Sequence, residues 1–72
     1  MALDFNTLLT ADQKREVLQQ RITQFATEAY QHEMNRQTAI ALGDAEFQAQ
    51  SEQALATLTA AIETHQTQLD AL

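Results

Sequence analysis

The chain has no cysteine, no proline and no tryptophan, a single glycine, and only four basic residues among 72. Without cysteine there are no disulfides and no thiolate metal sites, and nothing signals an oxidising compartment. Without proline, no position breaks a helix from within. One glycine excludes a glycine-rich phosphate loop. No apolar run approaches the roughly 18 residues of a membrane span. The opening Met1-Ala2-Leu3-Asp4-Phe5 lacks the basic start and continuous apolar stretch of a secretory signal. The expectation is a cytoplasmic protein with no membrane association.

Positive charge is missing from one half. Between Ala11 and Gly43, the bases Lys14, Arg15, Arg21 and Arg36 balance Asp12, Glu16, Glu28 and Glu33. From Asp44 to Leu72, Asp44, Glu46, Glu52, Glu63 and Asp70 meet no base, and Asp4 brings the net charge to −6. An acidic second half repels phosphate backbones, so a nucleic-acid partner is not expected. Anionic membrane surfaces are disfavoured for the same reason.

What is present suits helices. Residues 1–72 have room for one domain and no second core. Hydrophobic residues make up 44%, but many are alanines that bury little. A chain this short rarely stabilises itself without a staple, and with disulfides excluded the staple that remains is oligomerisation.

Gly43 organises the chain. Glycine enters the left-handed conformation that closes a helix at no Cβ cost, and Asp44 is a strong N-cap for the next one. Upstream, Thr10 and Gln13 form a capping box, so a long helix begins at Ala11. The fold expected is all-α: a two-helix antiparallel hairpin with a short apolar N-terminal segment, self-associating into a helical bundle. Its parts are an arm over 1–10, a helix over 11–42 and a helix over 45–71. Leu3, Phe5, Leu8 and Leu9 make the arm too apolar for a disordered tail. It is expected to form a short turn capped by Asp4 and to cover the open end of its own hairpin. The alternative is that Phe5 and the leucines dock on a partner.

The first long helix carries Leu18, Ile22, Phe25 and Ala29 on one stripe, which becomes polar at His32 and Arg36. The second carries Ser51, Leu55, Leu58, Ile62, His65, Leu69 and Leu72, widened by Phe47, Ala54 and Ala61. Folding about Gly43 makes facing residue numbers sum to about 87, pairing Leu18 with Leu69 and Ile22 with His65. The expected oligomer or partner interface comprises Leu3, Phe5, Leu18, Ile22, Phe25, Leu55, Leu58, Ile62 and Leu69.

Candidate chemistry is sparse. Glu28 and His32 share a helix face at a spacing compatible with a metal ion, but a surface pair that supports the helix is the plainer reading. His65, in the seam, reads as a packed register element whose protonation would loosen an assembly. Arg21, Tyr30 and Arg36 could hold a small anionic ligand between subunits; the plainer reading pairs Arg36 with Glu33. No nucleophile, base and acid group together, and no cofactor is expected. The function expected is therefore non-enzymatic: an interaction or assembly protein that forms a homodimer or higher oligomer and binds a larger protein. The alternative is a small inhibitor or sequestering protein, an acidic mimic or a trap for a small anion, with the economy of phage-type accessory proteins.

Overall fold

A reciprocal cap launches the first long helix. The Thr10 hydroxyl accepts from the Gln13 backbone N–H at 3.1 Å, and the Gln13 side chain accepts from the Thr10 N–H at 2.9 Å. Two donors that would otherwise be orphaned at a helix start are thereby satisfied. The computed structural model describes residues 3–72; the first two residues of the expected arm lie outside that range. Three helices follow in order: α1 (Phe5–Leu8), α2 (Ala11–Leu42) and α3 (Ala45–Asp70). The two long helices pack against each other as a helical hairpin, and no strand occurs among the described residues.

The corner takes two residues. Gly43 adopts φ 67°, ψ 26°. Its N–H donates to the Ile40 carbonyl at 3.1 Å, and the Asp44 N–H donates to the Ala39 carbonyl at 2.9 Å. This is a Schellman closure. The Asp44 carboxylate then accepts from the Phe47 N–H at 3.0 Å and opens α3. The far end of α3 has no such device. It stops at Asp70, one residue short of expectation, where Leu72 N–H reaches the Leu69 carbonyl at 3.2 Å and tightens the last turn. Leu72 therefore falls past the helix and is partly exposed rather than continuing the seam.

The seam follows the expected alternation of fours and threes. Leu18, Ile22, Phe25, Ala29, His32, Arg36 and Ala39 are buried or half-buried on α2, as are Ser51, Leu55, Leu58, Ile62, His65 and Leu69 on α3. His65 contacts both Arg21 and Phe25, bracketing the level of Ile22. Burial is shallow, however. Among the described residues only Ala39, Ser51 and Leu58 are buried, and no large side chain is fully enclosed. The molecule measures 53 × 24 × 15 Å with a radius of gyration of 16.5 Å, against about 11 Å for a compact domain of this length. Its surface of 5436 Å² exceeds by roughly 900 Å² that of a compact monomer of equal mass. It is a plate one helix thick.

The arm does not cover the hairpin. Asp4 caps α1 as expected, accepting from the Asn6 N–H at 3.0 Å. Yet Leu3 and Phe5 are 70% and 71% exposed, and α1 packs on neither long helix. Leu9 and Thr10 are both extended, so α1 is a separate turn and not a continuation of α2. Asn6 and Leu9 alone of the arm reach the open end of the hairpin, where they line a notch.

A methyl group added at Gly43 would meet no atom within 4 Å, so Gly43→Ala tests backbone strain alone. The left-handed conformation should cost about 1–2 kcal/mol. Urea unfolding should show a lower midpoint, with the helical signal of the folded baseline retained.

Candidate functional site

Two polar clusters interrupt the apolar seam. At its centre Arg21 Nε donates to His65 Nε2 at 2.9 Å, while His65 Nδ1 lies 2.7 Å from the Ala61 carbonyl. A carbonyl can only accept, so Nδ1 carries the proton and Nε2 is the bare acceptor. Phe25 meets the imidazole edge-on with ring centres 5.0 Å apart, and the Arg21 guanidinium carbon sits 5.4 Å from the Phe25 ring centre. The chain thus ties its two helices together with one three-residue stack. A doubly protonated His65 would turn an N–H toward the Arg21 N–H, replacing attraction by repulsion.

Nearer the corner, Arg36 grips Glu33 with two hydrogen bonds, of 2.9 Å through Nε and 2.6 Å through Nη2. Gln37 adds a third at 3.1 Å. The Arg36 guanidinium, aided by Gln37, holds the Glu33 carboxyl down at about 2 from an ordinary 4.5. The same bond raises Arg36. Both side chains are about a third exposed, so this pair fixes side-chain geometry more than it stabilises the fold.

These bonds bear on the candidate ligand site. Arg21, Tyr30 and Arg36 do not converge. Arg21 and Tyr30 are nine residues apart, about two and a half turns, and point to opposite sides of α2. Each guanidinium already has partners within the chain, and Tyr30 stands 65% exposed over a shallow trough shared with Ile22 and Ala26. Glu28 and His32 remain on α2 with His65 about 15 Å along the axis from His32. Among the described residues no three His, Asp or Glu side chains gather where they could hold a metal ion. No helix there is long and apolar enough to cross a membrane.

Of the residues expected at an interface, Leu18, Ile22, Phe25, Leu55, Leu58, Ile62 and Leu69 join α2 to α3 within one chain. All but Leu58 remain only half-buried. Leu3 and Phe5 project freely.

Taking the seam as the midline, the plate has two unlike faces. One carries Asp12, Glu16, Glu33, Glu52, Glu63 and Asp70, two of them ion-paired, Asp12 to Arg15 and Glu33 to Arg36 at 2.6 Å each. The other carries Lys14, Arg21 and Glu28, and its α3 half is uncharged from Phe47 to Ala71. At the open end of this second face, Leu9, Lys14, Val17, Leu18, Gln68 and Leu72 help line a notch of about 420 Å³. The hydroxyls of Thr57 and Thr64, on the same face, donate to the Gln53 and Ala60 carbonyls at 3.1 and 2.9 Å. Their methyl groups are what the surface offers. Compared with family models, curated proteins and solved structures, the chain matches none.

Two measurements follow from the polar clusters. Long-range ¹H–¹⁵N spectra at neutral pH should find His65 protonated at Nδ1, and Arg21→Ala should weaken that preference to what the Ala61 carbonyl alone supports; an Nε2–H ring in the native chain contradicts the Arg21 bond. Because the Glu33 carboxyl is depressed in the folded state, its contribution is complete above about 4.5 and drains away as pH falls through about 2. Urea midpoints should therefore drop more steeply across that acid range for the native chain than for Glu33→Gln.

Proposed function

We propose that the protein is a non-enzymatic assembly module, a helical hairpin that self-associates into a larger helical bundle and presents a surface to a larger protein partner. One observation carries this reading: the chain has almost no interior of its own. Among the described residues only Ala39, Ser51 and Leu58 are buried, while Leu3, Phe5, Leu8, Val17, Tyr30, Ile40 and Leu42 are each more than 40% exposed. Small chains without disulfide or metal gain the missing burial by association, and two hairpins forming a four-helix bundle is a common solution. The polar clusters argue in the same direction. Their hydrogen bonds are made within the hairpin, Arg21 to His65 across it and Arg36 to Glu33 along α2, which leaves no positioned nucleophile, base or acid.

A second reading, favoured by the six carboxylates on one face, is an acidic mimic that sequesters a basic protein. The two readings are compatible, since the acidic face can stay open after the other is covered. A small-anion trap at a subunit interface draws less support, because Arg21, Tyr30 and Arg36 do not converge within one chain.

Sedimentation equilibrium tests the main reading. The purified chain should have a native mass at a whole multiple, two or more, of 8.1 kDa. A stably folded monomer that persists at every concentration reached would overturn it. For the mimic, capture of a basic partner should weaken steeply with added salt; salt-independent binding removes that reading.

A further inference from the structure

Resting on the self-association reading, we infer that the weakly charged face is the seat of a second copy of this chain, joined by a two-fold axis that crosses the plate at mid-height, perpendicular to its helices. Charge chooses the face. Apposing the acidic faces would bring two sets of six carboxylates together, each set offset only by Arg15 and Arg36, whereas the opposite face has an uncharged α3 half. The outline of 53 × 24 Å accommodates the roughly 800 Å² that each partner contributes to a stable interface. That area is close to the surface excess of the free hairpin.

Shape chooses the direction. Leu42, 73% exposed, and Phe47 stand at the corner end of this face, and Val17 and Leu72 border the notch at its open end. An isologous interface needs a surface that complements itself, feature to feature, about the axis. With the axis near the height of Glu28 and Thr57, Leu42 lies about 21 Å to one side and Val17 about 17 Å to the other, at 1.5 Å per residue. The bulge of each copy then meets the notch of the other. The same axis, without further adjustment, sets Ala54 over Ala61 of the second copy, and Ala61 over its Ala54. Small residues at that crossing let the two α3 helices approach closely. Glu28 falls near its own equivalent and is the one mismatched charge.

The test uses the full chain. Ala54→Glu with Ala61→Glu should weaken self-association by roughly a hundredfold or more, two factors of ten in the dissociation constant, with the helical signal retained. Ala49→Glu with Ala56→Glu, on the acidic face, should leave the dimer intact, and Glu28→Gln should tighten it. Should the first pair unfold the chain, single cysteines decide. Thr57→Cys should form an intermolecular disulfide under mild oxidation and Ala56→Cys should not. An oligomer that survives the first pair, dissociates with the second, or cross-links through Ala56→Cys overturns the assigned face while leaving self-association standing. A monomeric native chain, meaning that another protein covers this face, overturns both.

Discussion

Asp44 has two tasks, and the architecture depends on its doing both. Its backbone N–H closes α2 on the Ala39 carbonyl, and its carboxylate opens α3 at Phe47. The reversal is completed in two residues because Gly43 takes the left-handed conformation between them. Such a short corner leaves no slack. It fixes which residue of α3 stands beside which residue of α2, and the seam inherits that register to its far end. Ala39 and Ser51, both small and both buried beside the corner, let the helices start close together. The Ser51 hydroxyl adds no unmet polar group, since it donates to the Phe47 carbonyl at 2.9 Å.

The hairpin was legible in the sequence because its determinants are local. Thr10 with Gln13, Gly43, and Asp44 with Phe47 each act within four residues, so composition and spacing reveal them. The register was legible too, since it is arithmetic about a known corner. The arm was not. Four apolar residues suggested packing, but the extended Leu9 and Thr10 set its direction, and an extended pair has no signature in residue type. That Arg21, Tyr30 and Arg36 do not converge within one chain has a cause the sequence did contain: Arg21 and Tyr30 lie half a turn apart on α2. The sorting of charge between faces is a property of position around each helix, which charge counted along the chain does not show. Arg21 and His65 could have been found by the same register that paired Ile22 with His65.

The seam also explains how a polar sequence sustains long helices. Toward the corner, α2 offers His32 and Arg36 in place of leucine, yet the structure has no buried side-chain polar atom without a partner among the described residues. Arg36 turns along its own helix to Glu33 and does not cross the interface as an unpaired charge. Six threonines return their hydroxyls to the carbonyl one turn back, at 2.9–3.1 Å. Side chains that would compete with the helix for hydrogen bonds are thereby folded into it. The surface is left with methyl groups and amides, sparse in charge on one side and crowded with it on the other.

A plate one helix thick has no inside from which water is far away. Its two rods are clasped at the corner, where Ala39 is wholly covered, and merely adjacent at the other end, where α3 finishes without a left-handed closure at Ala71. Opening should therefore run like a zipper from the free tips toward the hinge, with amide exchange quickest near Val17 and Leu69 and slowest around Ala39 and Leu58.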